Sequence, residues 1–349
     1  MAKDKPKLLR GGLVVGAISL GVGGGIAVER AIVKRLRGRQ DPYKDFPYGL
    51  DVFERTSTLL TDDKARLVVY ENRSKENSRG LIFLHGYAID SGIWFHQANE
   101  LGYRCILYDA RHHGASIDAP MKPVDMARLA ADLGAVIEHS GLEEVVLVGH
   151  SMGGMTLLEF AGSTSGGLKE RVKGLVIVNA NFADSLDAIY ASRVLKAIDR
   201  RIRLDGSVND PVIRGLFRLR GDDLSWLLVR YLGFGSDASP TQVSYVRSLL
   251  QRFPTDGLLS VLPALRKHDV KDSMEKIDIP TLVVTGDSDR IASPEASRII
   301  ASTIPDSRLE EFENSGHIVP LERPERFNEI LQLFLEEAFG APRRSGVAG

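Results

Sequence analysis

The feature that most constrains this chain is the run Val145-Val146-Leu147-Val148-Gly149-His150-Ser151-Met152-Gly153-Gly154. Four aliphatic residues without a polar break read as a strand covered on both faces. The G-x-S-x-G that follows opens a helix-like stretch over Met152–Gly162, so the chain must turn sharply between strand and helix. Such a turn lifts the serine hydroxyl above the end of the sheet. A Cβ at Gly149 or Gly153 would meet neighbouring backbone there. The first-turn N–H groups of the helix point at the same spot and favour negative charge.

The rest of the chain supplies the sheet that this unit needs. Strand-like runs occur at Leu67–Tyr70, Leu81–Leu84, Cys105–Tyr108, Val145–Val148, Leu175–Val178 and Thr281–Thr285, with a weaker one at Arg308–Phe312. Amphipathic helix-like stretches lie between them at Val124–His139, Met152–Gly162, Ala296–Thr303 and Glu325–Phe339. This alternation predicts an α/β fold with a mostly parallel sheet and helices on both sides. It breaks over 181–276, which reads as several helices with no convincing strand and is expected to be a helical cap inserted into the core. The core is then 50–180 and 277–340, with a disordered tail at 341–349. Aromatics of the cap, among them Tyr190, Phe217, Trp226, Tyr231, Phe234, Tyr245 and Phe253, either line a substrate pocket or pack the cap onto the core.

A serine hydroxyl is a weak nucleophile and needs a general base. His317, in Asn314-Ser315-Gly316-His317 after the last strand candidate, is the candidate. Thr285-Gly286-Asp287-Ser288-Asp289-Arg290 ends the preceding strand and offers Asp287 and Asp289 as the acid that would hold the imidazole in the right tautomer. The backbone N–H groups of Tyr87, in His85-Gly86-Tyr87 after an early strand, and of Met152 are the candidate donors for an oxyanion hole.

Residues 11–28 contain no charge and have basic residues on both sides. At about 1.5 Å per residue a helix of this length would nearly match a bilayer core of ~30 Å. Three readings fit: a membrane-spanning anchor, a signal peptide cut after Gly25-Ile26-Ala27, and a glycine-rich tail. Small residues at Gly12/Gly16 and Gly21/Gly25 favour the anchor, so a membrane-associated protein is expected, with a secreted or cytoplasmic one as the alternatives. Residues 1–49 are thus an apolar segment plus a basic linker. A net charge of −1 gives no global field for nucleic acid. The single cysteine, Cys105, sits in an apolar run and excludes an intrachain disulfide framework. No phosphate-cradling or dinucleotide-binding glycine motif is present, so no cofactor is expected.

Taken together, HG at 85–86, DARHHGAS at 109–116, GHSMGG at 149–154, GDSDRIASP at 286–294 and SGH at 315–317 resemble the motif series of the α/β-hydrolase superfamily. The resemblance runs from about Leu67 to Phe339 and is to esterases, monoacylglycerol-lipase-like enzymes, cofactor-free haloperoxidases and C–C hydrolases. It implies Ser151 as nucleophile, His317 as base, Asp289 as acid with Asp287 as its rival, and Tyr87 and Met152 as oxyanion donors. Asp109, Arg111 and His113 would shape the loop beside the site; His112 stands where glycine or asparagine is commoner. A metal on Asp109, His112 and His113 is disfavoured, because adjacent side chains rarely converge on one ion. Serine rather than aspartate at 151 implies acyl transfer. The expected activity is hydrolysis of a carboxylic ester of an apolar, small-molecule acyl substrate. Thioester hydrolysis, perhydrolysis and C–C hydrolysis would use the same residues. A non-enzymatic binding protein on the same fold is the remaining alternative.

Overall fold

The computed structural model describes residues 30–49, 53, 55–72, 78–116, 123–163, 166–183, 223–252 and 255–340. The expected anchor or signal segment at 11–28, the tail at 341–349 and the part of the insertion holding Tyr190 and Phe217 lie outside the described residues, as does Phe253. Among the described residues no helix is long and apolar enough to cross a membrane.

The strands are β1 (Arg55–Leu60), β2 (Arg66–Glu71), β3 (Arg79–Leu84), β4 (Arg104–Tyr108), β5 (Glu144–His150), β6 (Val172–Val178), β7 (Thr281–Gly286) and β8 (Ser307–Phe312). They form one eight-stranded sheet in the order β1-β2-β4-β3-β5-β6-β7-β8. Only the pairs β1/β2 and β2/β4 are antiparallel. All other neighbours are parallel.

The aliphatic runs take the centre because both their faces are covered. Leu81, Phe83, Val146, Val148, Val176, Val178, Leu282 and Val284 face one apolar cluster. Ile82, Leu84, Val145, Leu147, Leu175, Ile177 and Val283 face the other. The alternation is that of pleated strands with opposite-facing neighbours. Among the described residues the helices that flank the sheet and the site include α1 (Phe95–Glu100), α2 (Met126–Ser140), α3 (Met152–Ser163), α4 (Asp223–Gly233), α5 (Pro240–Gln251), α6 (Thr255–Lys267), α7 (Pro294–Thr303), α8 (Val319–Glu322) and α9 (Pro324–Ala338). Leu129, Leu133 and Ile137 of α2, Leu157 and Leu158 of α3 and Ile300 of α7 cover one face. Ala98 of α1 and Phe327, Leu331 and Phe334 of α9 cover the other. Local signals set the helix ends. Asp125 caps α2 by accepting from Arg128 N, and Gly141 ends it at φ 66°.

The inserted helices α4, α5 and α6 span 223–267. Of the insertion's described aromatics, Trp226, Phe234 and Tyr245 are buried within the apolar cluster, so packing rather than pocket lining is their role, whereas Tyr231 is exposed. The N-terminal stretch differs from the expected linker. Residues 30–37 are helical, and Val33 is buried. Arg37 pairs with Asp223 at 3.2 Å and lies over the Trp226 ring. Asp41 accepts from Ser239 Oγ at 2.5 Å and Thr241 N at 2.9 Å, and Tyr48 stacks on Tyr245 at 4.6 Å. Ordered structure therefore begins before Leu50, and this stretch braces the inserted helices. Arg37 together with the acidic Asp41 and aromatic Tyr48 of this run supplies those contacts.

Candidate active site

β5 delivers Ser151 directly into α3. Ser151 has φ 54°, a left-handed conformation that a side-chain-bearing residue adopts only when its surroundings impose it. Here Ser151 N donates to Val178 O on β6 at 2.9 Å, and Ser151 O accepts from Met155 N of α3 at 3.0 Å. The turn is too tight for side chains beside it. A Cβ on Gly149 would stand 2.5 Å from Gly153 C, and one on Gly153 would stand 2.5 Å from Leu84 O.

β7 leads into the loop that carries both acid candidates. Asp289 is buried, and its Oδ1 accepts from Ile291 N at 2.8 Å and Ala292 N at 3.0 Å. Its Oδ2 stands 2.9 Å from His317 Nδ1. Asp287 lies on the exposed side of the same loop, where its Oδ1 accepts from Ser288 Oγ. The structure thus brings Asp289, and not Asp287, to the histidine. Because Asp289 accepts at Nδ1, Nε2 is left as the basic nitrogen. Among the described residues the His317 ring hydrogen-bonds only Asp289, so a bond from Ser151 Oγ to Nε2 is not formed here. The ring nevertheless lies beside the elbow, with its centroid 4.8 Å from that of His150.

The oxyanion candidates also meet at the elbow. A Cβ on Gly86, next to Tyr87, would be 3.2 Å from Ser151 Cβ, which places that loop against the serine. Met152 is the first residue of α3, so its N–H has no acceptor within the helix. His85 is buried; Nδ1 donates to Gly86 O at 2.7 Å and Nε2 accepts from Ala110 N at 2.9 Å. Burial pushes its pKa down to about 4, so it is neutral and structural.

The DARHHGAS segment is a knot of buried polar groups. Asp109 accepts from Tyr70 Oη, Ser91 N, Ser91 Oγ and Ala115 N. Arg111 forks onto Asp132 at 2.6 and 2.7 Å and also reaches Asp63. His113 Nδ1 donates to Arg111 O. Among the described residues no group of three or more His, Cys, Asp or Glu is placed to hold a metal.

Further residues lie at the site without having stood out in the sequence. Asn179, at φ 50° just after β6, donates to Asp289 Oδ2 at 2.8 Å and to Gly316 O at 3.3 Å. An asparagine directly after a buried strand is a signal for it, because asparagine tolerates positive φ. His150 Nε2 donates to His317 O at 2.7 Å. Burial, and then the nearby His317, hold its pKa well below the usual range. Glu322 accepts backbone N–H groups on either side of His317. In sequence it reads as one more acid near a helix start.

The sequence model of a family described as alpha/beta hydrolase fold matches residues 81–324. The chain is 29% identical over 264 residues to the AB hydrolase superfamily protein YisY of Bacillus subtilis, covering 74% of this chain and 92% of that one. It is 27% identical over 264 residues to a putative non-heme chloroperoxidase of Synechocystis, covering 73% and 91%. Among solved structures, an esterase from Exiguobacterium antarcticum superposes with a TM-score of 0.65 at 25% identity, covering 81% of this chain and 100% of that one.

Proposed function

The chain belongs to the α/β-hydrolase fold family, and from that premise we propose that it is a serine hydrolase cleaving a carboxylic ester through an acyl-enzyme on Ser151. The observation that carries the proposal is the Asp289 Oδ2 to His317 Nδ1 contact of 2.9 Å beside a serine held at φ 54°. His317 Nε2 takes the Ser151 proton as Oγ attacks the acyl carbonyl. Contacts of this kind are often long without substrate and tighten when it binds. Asp289 keeps the proton on Nδ1 and stabilises the imidazolium that forms. The backbone N–H groups of Tyr87 and Met152 receive the oxyanion, each such donor contributing about 2.7–4 kcal/mol. Collapse expels the alcohol, protonated by His317. Water then attacks the acyl-enzyme by the reverse sequence.

The solved esterase supports the ester reading. A small-molecule substrate with an apolar acyl group fits the same family. The relative named as a chloroperoxidase supports a second reading, in which peroxide replaces water in the last step. Fluorophosphonate labelling tests the proposal. Native protein should label at Ser151, and Ser151→Ala should neither label nor turn over p-nitrophenyl esters. Unlabelled native protein, or an active Ser151→Ala, would refute it. Adding peroxide in the same assay and scoring peracid separates the two readings.

A further inference from the structure

We infer that Glu322 is a positioning residue, fixing the backbone on both sides of His317 and tying that loop to the end of the inserted helix α4. This rests on the reading of His317 as the general base.

His317 sits in a loop, yet the polar backbone groups around it are bound to named partners. Glu322 Oε1 accepts from Gly316 N at 2.8 Å and from Ile318 N at 3.3 Å. His317 N donates to Gly233 O, the last residue of α4, at 2.9 Å. His317 O accepts from His150 Nε2 at 2.7 Å. The other Glu322 oxygen, Oε2, accepts from Gly235 N at 2.7 Å. One carboxylate therefore holds the peptides before and after the histidine and also the chain leaving α4. The two backbones touch with no side chain between them, since a Cβ on Gly316 would be 2.5 Å from Phe234 C. A Cβ on Gly235 would collide with Asn314 O.

Glu322 is 7% exposed. Its carboxyl is pushed up to about 7 by burial, and the three backbone donors act against that rise. Among the described residues no guanidinium or ammonium hydrogen-bonds its side chain. Arg323 next to it turns instead to Asp237 at 3.4 Å and to Asn314 O. A buried carboxylate with no cation bonded to it is costly to keep, and the nearby Arg323 charge offsets its burial less than the backbone donors do. Its bonds here all go to the segment carrying His317 and to the one segment of the insertion that bonds that loop. A shift of about 1 Å in a reacting group can cost 10²-fold in rate, so such a clamp bears on catalysis as well as on folding. It also makes the insertion part of the histidine's support, and not only a cover over the site.

Glu322→Gln is the sharpest test. The amide keeps one acceptor oxygen and turns an NH2 toward either Gly235 N–H or the pair at Gly316 and Ile318. Full-length wild type, E322Q and E322D are compared in p-nitrophenyl butyrate turnover, fluorophosphonate labelling and the imidazole resonances of 15N-histidine-labelled protein. E322Q should lower kcat about tenfold or more with KM within threefold, slow Ser151 labelling, and shift or broaden the His317 resonances. E322D, which keeps both acceptor oxygens, should recover part of the loss. If E322Q does not fold, E322D against wild type is read in the same way, a smaller loss of kcat being expected. Unchanged kcat and unchanged His317 resonances in a folded variant would overturn the inference. Wild type that neither labels nor turns over would sink the hydrolase reading instead, and the His317 resonances would still report on the clamp.

Discussion

Asn179 Nδ2 reaches the same oxygen of Asp289 that faces His317, at 2.8 Å. That oxygen thus takes donors from two directions, while Oδ1 is bound by two backbone N–H groups. The carboxylate has little freedom left, and its orientation sets that of the imidazole. Replacing Asp289 by Asn should leave the fold intact and lower kcat by about 10⁴, because Nδ1 then faces an amide that favours the wrong tautomer. Asp287→Asn should stay within about twofold of wild type, since among the described residues that side chain hydrogen-bonds only Ser288 Oγ, away from the histidine. Steady-state kinetics on one p-nitrophenyl ester decides it. The reverse order of the two losses would show that the acid is misassigned.

The elbow glycines make a separate prediction. A Cβ on Gly153 would stand 2.5 Å from Leu84 O and 2.7 Å from Leu84 Cβ, in the strand that leads to the proposed oxyanion loop. Backbone must move to admit it. Gly153→Ala should lose about 1–3 kcal/mol of stability through overpacking. Gly141→Ala also pays for a left-handed backbone, but it meets no atom within 4 Å and keeps the elbow unchanged. Urea titrations should show both variants destabilised, with only Gly153→Ala losing activity at 25 °C.

Much of this was legible in the sequence because strong local signals coincide with the core. The six stronger strand candidates all lie within observed strands, and even the weaker Arg308–Phe312 matches β8. β1 left no such mark. It is an edge strand reading Arg-Thr-Ser-Thr-Leu-Leu, and from Thr56 to Ser57 and Thr58 it is exposed, so no apolar pattern was needed to form it. Ser151 and His317 could be read because motif and chain order mark them. His150 and Glu322 could not, because each acts through backbone groups that only the folded chain brings near, and for Asn179 the sequence signals the positive φ but not the Asp289 contact. Choosing between Asp287 and Asp289 likewise needs the loop's direction, which spacing alone does not give.

Asp132 belongs to the same hidden class, an acid on the buried face of α2. Its side chain is 2% exposed and forks with Arg111, whereas the Asp63 side chain on the same guanidinium is 43% exposed. Removing Asp132 leaves the buried Arg111 with only the half-exposed Asp63, and breaking a buried pair costs about 3–5 kcal/mol. An exposed pair contributes about 1 kcal/mol or less. Asp132→Asn should therefore destabilise by about 3 kcal/mol, and Asp63→Asn by no more than about 1 kcal/mol. Equal shifts in urea midpoint would refute the contrast.

The buried histidines predict how stability follows pH. Burial pushes His85 down to about 4, His113 to about 3 and His268 to about 4. An unfolded imidazole titrates near 6.5. Between these values the unfolded chain binds protons that the folded chain refuses, so this contribution is intact above about 6.5 and is lost as pH falls toward 4. Each such proton adds a slope of about 1.4 kcal/mol per pH unit. Glu322 acts in the opposite sense. Its carboxyl is raised to about 7 by burial, so it costs stability as pH rises from the ordinary glutamate range toward 7. Burial lowers His112 and His150 in the same sense as these histidines, while Asp90, raised to about 6, and Asp132 and Glu159, also raised, act with Glu322, so a single-site variant is what isolates one contribution. His268 is the cleanest probe, because among the described residues neither ring nitrogen has a hydrogen-bond partner and Glu159 lies 3.8 Å away, too far to hold a neutral ring. His268→Met should flatten the fall of the unfolding free energy between pH 6.5 and 4 while leaving ester turnover at pH 8 unchanged. An unaltered slope would mean that His268 takes up its proton in the folded state.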